Sequence, residues 1–105
     1  MLLPSKRNAS APPARPPVRL SLQLFVAGDS VESVAAVENL KAMLAGREGS
    51  YVLELVDVTE QPKLALEEGI AVTPTLVRRA PPPIRKITGD LSDTAAVRSA
   101  LGLDG

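Results

Sequence analysis

The stretch GIAVTPTLVRRAPPPIRKITGD, residues 69–90, decides how the second half of this chain folds. Pro74 precedes an apolar run, and a strand can begin at a proline because no ladder N–H is needed there. Pro81–Pro83 predict a stiff turn, after which residues 84–88 return as an antiparallel strand. Gly89–Asp90 then predict another turn.

The isomer of the bond before Pro74 is left open by the sequence. Cis and trans forms of a bond preceding proline differ by only about 0.5–1 kcal/mol. A cis bond would present backbone groups of the loop near the first helix, whereas a trans bond would simply lead into a strand.

The first half of the chain has the pattern of a βαβ unit. Apolar and other residues alternate from Leu20 to Val26, and residues 51–58, YVLELVDV, indicate a second strand that is mostly buried. The segment 31–45 between them predicts a helix. A helix between two strands at this spacing makes the strands parallel.

The predicted first helix has recognisable ends and one apolar stripe. Asp29 or Ser30 can cap its start, and Gly46 and Gly49 can end it. The stripe is formed by residues at three- and four-residue spacing, namely Val34, Val37, Leu40 and Leu44.

Two more helices complete the prediction. A short one begins near Pro62 and ends at Gly69, and a last one, capped by Ser92, carries Val97, Ala100 and Leu101. The resulting order βαβαββα predicts one α/β domain over residues 19–105, with a four-stranded mixed sheet covered by helices. This order is that of a thioredoxin-like fold.

Composition excludes several kinds of function. Lys and Arg total 12, as do Asp and Glu, so no strong field for phosphates or membranes is expected. Phe25 and Tyr51 are the only aromatic residues, which argues against stacking on nucleic acid. With no Cys and no His, thiolate zinc sites, cysteine nucleophiles and histidine bases are excluded, and no cofactor is expected.

Residues 1–18, MLLPSKRNASAPPARPPV, form a separate segment, which we call the arm. Its prolines and basic residues predict disorder, with a docking peptide as the alternative. It lacks the continuous apolar region of a secretory signal, and no run in the chain is long enough to span a bilayer. A soluble cytoplasmic protein is therefore the expectation.

A thioredoxin-like oxidoreductase would need cysteine after its first strand. Ser30 and Ser33 stand there with similar spacing, but a serine hydroxyl stays protonated and forms no stable disulfide. No base lies nearby in sequence to activate either serine. The expectation is therefore that the chain is not an enzyme.

The ordered set of short motifs resembles the KaiB family of circadian clock proteins. The resemblance covers roughly residues 20–103. It runs through Leu24–Gly28, Ser33–Val34, Leu40, Tyr51–Leu53, Val56–Val58, Pro62, Leu64–Ala65, Glu68, Ile70–Ala71, Thr73–Leu76, Pro81–Pro83, Arg85–Lys86 and Ile87–Asp93.

The resemblance implies a non-enzymatic adaptor. KaiB-like proteins bind the hexameric RecA-like ATPase KaiC, help time its phosphorylation cycle, and compete with a related sensor-kinase domain. The resemblance also implies two folds: a thioredoxin-like one that binds KaiC, and another that rearranges the second half and assembles into dimers, tetramers or other oligomers. The chain departs from the family at Gln23 and Ala35, where a basic residue is common.

Mixed local signals in the second half are consistent with such a rearrangement. Residues 70–77 can form a strand or a short helix, and residues 84–91 can form a strand or begin a helix. Two packings within a few kcal/mol are then plausible, although one stable fold is the alternative. Gly89 and Asp90 are the residues expected to govern this turn and the fold.

Partner contacts are expected around the proline turn. Four cations, Arg78, Arg79, Arg85 and Lys86, lie close in sequence and would be costly to bury unpaired, so we expect them to face solvent or to meet acids. We also expect some of them to steer the encounter with an acidic surface on the ATPase ring. The candidate partner-binding residues are Thr73, Pro74, Thr75, Arg78, Arg79, Arg85 and Lys86.

Three functions therefore compete. The first is a KaiB-like regulator of a KaiC-type ATPase. The second is a degenerate oxidoreductase or transferase that uses an outside thiol such as glutathione, which the missing cysteine disfavours. The third is a cysteine-less thioredoxin-like sensor or interaction module with a different protein partner.

Overall fold

The structure is a computed structural model that describes residues 19–103. The elements in chain order are β1 (Leu20–Val26), α1 (Val31–Leu44), β2 (Tyr51–Asp57), α2 (Pro62–Glu67), β3 (Thr75–Ala80), β4 (Arg85–Thr88) and α3 (Thr94–Leu101). This confirms the predicted order βαβαββα. The arm, with its predicted disorder, lies outside the described residues, as do residues 104–105.

The four strands form one mixed sheet in the order β2–β1–β3–β4. β1 pairs parallel with β2, placing Leu24 opposite Leu55, and antiparallel with β3, placing Leu24 also opposite Leu76. β4 returns antiparallel beside β3. The predicted parallel pair and the predicted hairpin after the three prolines are both confirmed.

The two faces of the sheet bury different groups. One face packs against α1 and α3 and holds the larger core, which includes Leu22, Leu24, Val26, Ala36, Leu40, Met43, Leu44, Leu76, Leu91, Val97, Leu101 and Leu103. The other face buries Phe25, Val56 and Val77, against which Val58, Leu64 and Ile70 pack. We call this second surface the α2 face.

The predicted stripe of α1 is only partly right. Ser30 caps the helix, accepting a hydrogen bond from the Ser33 N–H, as expected. However, Val34 is 43 % exposed, and the buried side contains Ser33 and Ala36 instead. Ser33 can replace an apolar residue there because its hydroxyl accepts a hydrogen bond from the Ala27 N–H at 3.1 Å.

The prediction that the second strand is mostly buried is wrong. Within β2 only Val56 is fully buried, whereas Val52 and Leu55 are 46 % and 54 % exposed. The reason is topological, since among the strands of residues 19–103 β2 lies at the edge of the sheet and pairs with β1 alone. An apolar run does not distinguish a central strand from an edge strand.

The cap of the last helix also differs from expectation. Asp93, not Ser92, is the N-cap of α3, and its carboxylate accepts a hydrogen bond from the Ala96 N–H at 3.2 Å. The Ser92 N–H instead donates to Asp90. Of the predicted buried residues, Val97 and Leu101 are confirmed, while Ala100 is half-buried.

No helix within residues 19–103 is long and apolar enough to cross a membrane.

Candidate functional site

The loop formed by Thr73, Pro74 and Thr75, which we call the proline loop, lies at one end of the sheet, next to the turn that follows β4. The Thr73–Pro74 bond is cis. Pro74 is fully buried, and its carbonyl accepts a hydrogen bond from the Gly89 N–H at 2.9 Å. Thr75 is buried too, with its hydroxyl donating to the Val72 carbonyl at 2.7 Å. Of the three predicted loop residues, only Thr73 is partly accessible.

The four predicted cations do not form one patch. Successive side chains of a strand point to opposite faces, so β3 sends Arg78 and Arg79 in opposite directions. The register pairs Arg78 with Arg85 on the face that packs against α1 and α3, and it pairs Val77 with Lys86 on the α2 face. Sequence proximity therefore overstated how far these charges act together.

Arg78 is a structural residue of the interior. It is 9 % exposed, and its guanidinium donates to the Ala100 carbonyl at 2.7 Å and to the Pro83 carbonyl at 2.9 Å. Its Nε has no partner among the described residues. The prediction that all four cations face solvent or meet acids is wrong for Arg78, because backbone carbonyls satisfy its charge.

Arg79 belongs to a polar chain that crosses the α2 face. Its guanidinium pairs with the Glu68 carboxylate, and its Nε donates to the Gln23 side chain at 2.6 Å. Gln23 in turn donates to Glu54 at 2.8 Å. The chain joins β2, β1, β3 and the end of α2, and the expectation that this cation meets an acid is confirmed.

Arg85 and Lys86 are the accessible cations of the predicted set. Both are exposed on β4, the second edge strand. Lys86 Nζ donates to the Glu68 carbonyl at 2.9 Å, which fixes its position beside α2. These two residues are the part of the candidate surface that a macromolecular partner can reach without disturbing the core.

Gly89 and Asp90 hold the turn between β4 and the last helix. Gly89 has φ of +105°, a conformation that favours glycine. The Asp90 carbonyl accepts from Asn39 of α1 at 2.8 Å. Hydrogen bonds from the Ser92 side chain and backbone N–H hold the pKa of Asp90 below its usual value.

An open apolar groove adjoins the proline loop. Its volume is about 420 Å³, and it is lined by Val58, Pro62, Ala65, Leu66, Ile70, Ala71, Val72 and Thr73. We call it the α2 groove. The sequence did not predict this groove. It also did not predict the hydrogen bonds of Gln23, Asn39, Glu54 and Glu68, because each of these residues meets a partner 11 or more residues away.

The match to known proteins establishes the family. Residues 23–103 match the KaiB domain model. The chain belongs to the KaiB family. A circadian clock oscillator protein KaiB of Gloeothece citriformis is 48 % identical over 84 residues, covering 79 % of this chain and 77 % of that protein. The circadian clock protein KaiB3 of Synechocystis is 45 % identical over 87 residues, covering 82 % and 83 %.

Solved structures give the same fold. The N-terminal domain of Synechococcus elongatus SasA is 31 % identical, with a TM-score of 0.70, covering 91 % of this chain and 93 % of that one. Mitochondrial thioredoxin 3 of Saccharomyces cerevisiae, with a TM-score of 0.67, covers 84 % and 81 % but is 18 % identical, which shows the fold alone. The predicted thioredoxin-like fold is confirmed.

The KaiB relatives are named as clock proteins, not as enzymes, and the thiol chemistry of thioredoxins is closed to a chain without cysteine. In this KaiB-family chain, Ser30 caps α1, and the Ser33 hydroxyl accepts a hydrogen bond from the Ala27 N–H. Membership of this family of clock proteins bears out the prediction that the chain is not an enzyme.

Proposed function

We propose that this chain is a regulatory adaptor that binds a KaiC-type RecA-like ATPase hexamer and modulates its ATPase and phosphorylation cycle. The observation that carries the proposal is the match of residues 23–103 to the KaiB family. The names of the relatives, circadian clock oscillator protein KaiB and circadian clock protein KaiB3, support partners among clock proteins. Such a partner would place the chain in the cytoplasm.

Arg85 and Lys86 are the residues proposed to meet the ATPase first. They are consecutive residues of the edge strand β4 that point to its two faces, both exposed and without a carboxylate partner within residues 19–103. Exposed charges of this kind act mainly on the rate of association and on its dependence on salt. An acidic surface on the ring is therefore the expected complement.

Charge reversal tests this assignment. Arg85→Glu with Lys86→Glu should weaken binding to a purified KaiC-type hexamer by about tenfold or more, equivalent to roughly 1.4 kcal/mol, because attraction becomes repulsion. Binding would be measured by sedimentation with fluorescently labelled chain, in separate ATP- and ADP-loaded samples and at two salt concentrations.

The matched control is Lys41→Glu with Arg47→Glu. It changes the net charge equally, at two exposed positions in or just after α1. The control should leave the dissociation constant nearly unchanged. If both pairs of substitutions weakened binding equally, net charge and not the position of Arg85 and Lys86 would explain the effect. Absence of a complex in every nucleotide state would instead favour a thioredoxin-like module with another partner.

The same sedimentation runs test self-association. The chain alone is proposed to form a dimer or tetramer, as the family resemblance implies. A sedimentation coefficient that rises with protein concentration would support this, and one that stays at the monomer value would contradict it.

A further inference from the structure

The α2 groove is apolar, open and close to a second uncovered area. On its rim Leu66 is 81 % exposed and Val72 is 54 % exposed. Exposed apolar side chains grouped around a concave surface indicate a place where another segment packs. We therefore expect the groove to bind an apolar segment that lies within reach of it.

The path from the start of β1 to the groove is also uncovered. On the α2 face, Val52 is 46 % exposed and Glu54 is exposed, while α1 and α3 pack on the opposite side of the sheet. α2 is the one helix of residues 19–103 that packs on this face. A segment entering at Arg19 can follow this surface without displacing a described element.

Charge complements the apolar match. The arm contains Lys6, Arg7 and Arg15 and no acidic residue. Residues 19–105 therefore contain nine Lys and Arg but all 12 Asp and Glu, which makes their net charge negative. In the segment 57–67 that borders the groove, Asp57, Glu60 and Glu67 outnumber Lys63, while Lys86 lies beside the far end of α2. A basic segment is attracted to this part of the domain, and salt weakens that attraction.

The arm is long enough to reach. β1 has seven residues, so about 20 Å separate its two ends at roughly 3.3 Å per residue. The 15 residues between Leu3 and Arg19 can span roughly 45 Å as a proline-rich chain. Its apolar end, Met1–Leu3, is followed closely by Lys6 and Arg7. Tethering keeps the effective concentration of this end high.

We propose that the arm docks on its own domain, with Leu2 and Leu3 in the α2 groove and Lys6 and Arg7 beside Glu60 and Glu67. The groove is then an intrachain binding site, open to competition by any partner that offers a similar apolar and basic segment. This inference concerns the chain alone and does not depend on binding to an ATPase.

A spin label on the arm tests the docking directly. Because the chain has no cysteine, Ser5→Cys creates a single labelling position. In the full-length chain, a nitroxide there should broaden the amide signals of Leu66, Ile70 and Val72 in an NMR spectrum. The signals of Ala42 and Ser99, on helices of the opposite face, should keep their intensity. Adding 0.5 M salt should restore part of the lost signal.

A double substitution in the arm and two single substitutions in the domain separate docking from chance proximity. Leu2→Ser with Leu3→Ser should abolish the broadening. Leu66→Ser should reduce it, whereas Val31→Ser should not, although these two side chains are equally exposed at 81 % and 82 %. Neither change touches the core, so the fold is retained.

Three results would overturn the proposal. The first is broadening spread evenly over both faces, and the second is broadening unchanged by the serine substitutions. The third is broadening of an isotope-labelled, cysteine-free chain mixed with a spin-labelled one, because that would place the arm of a second copy in the groove.

Discussion

At the scale of single residues, Arg78 shows how burial changes what a charge does. It lies in β3 opposite Leu22 of β1, and its guanidinium joins the Pro83 carbonyl in the turn before β4 to the Ala100 carbonyl of α3. Ionised donors give stronger hydrogen bonds than neutral ones, and those that are buried are costly to lose. Arg78 therefore ties the hairpin to the last helix.

Replacing Arg78 with Met should lower the free energy of unfolding by about 2–3 kcal/mol, because two charge-assisted hydrogen bonds are lost while the stem volume is retained. Urea denaturation measures this. The control is Arg85→Met, at the exposed position opposite Arg78 in the register, which should change stability by less than about 0.5 kcal/mol. Equal effects would contradict a bridging role for Arg78.

At the scale of elements, Asp57 joins the ends of two parallel strands. It is the last residue of β2, and one of its carboxylate oxygens accepts from the Thr59 hydroxyl at 2.7 Å, the Thr59 N–H at 2.9 Å and the Gly28 N–H at 3.1 Å. The hydrogen bonds from Thr59, then that from Gly28, lower the pKa of Asp57 from its ordinary value of 3.8. The carboxylate thus links β2 to the turn before α1.

This arrangement predicts a pH dependence of stability. Because the folded pKa of Asp57 is below the unfolded one, its contribution is fully present above the ordinary value of 3.8 and is lost as pH falls through the folded value. Asp57→Asn should therefore be less stable than the parent at pH 7, with the difference shrinking as pH falls below 4.

Thermal unfolding from pH 7 to pH 2 checks this dependence. Asp29→Asn removes a nearby carboxylate without removing these hydrogen bonds, so its stability should follow that of the parent. If the difference between Asp57→Asn and the parent stayed constant with pH, another group would be responsible.

At the scale of the whole molecule, the backbone ladder between the two halves of the chain is the β1–β3 pair, and the core between α1 and α3 adds side-chain contacts. β1 is central, with β2 on one side and β3 on the other, and β4 and α3 follow from β3. For the αββα part after residue 58, we predict an exchange of packing in which the pair β1–β2 keeps its own ladder. The alternative fold of the family thus remains a prediction for this chain.

We expect NMR spectra of the isolated chain to contain two slowly exchanging sets of amide signals for residues 59–103 and one set for residues 20–57. Adding a KaiC-type hexamer should enrich one set, because a ligand shifts an equilibrium toward the state it binds more tightly. A single set that adding the hexamer leaves unchanged would show one stable fold indifferent to that ATPase.

The local pattern was sufficient for the order of elements. Alternation at Leu20–Val26, Pro62 at the first position of α2 and Ser30 as a cap are properties of neighbouring residues, and they hold in the structure. The candidate surface was harder to predict. Arg78 and Arg79 are adjacent in sequence yet point into different environments, one to buried carbonyls and the other to Glu68.

Fold class, family and the exclusion of thiol chemistry follow from the order and kinds of residues along the chain. These rest on residue identity and short-range periodicity, which need no knowledge of distant contacts. Three features became visible in the folded chain alone: β2 lies at an edge, Arg78 is buried, and a polar chain joins Glu54, Gln23, Arg79 and Glu68 across one face. The physical reason is that burial and polar pairing depend on which elements become neighbours in space, and the pattern along one segment carries no information about that.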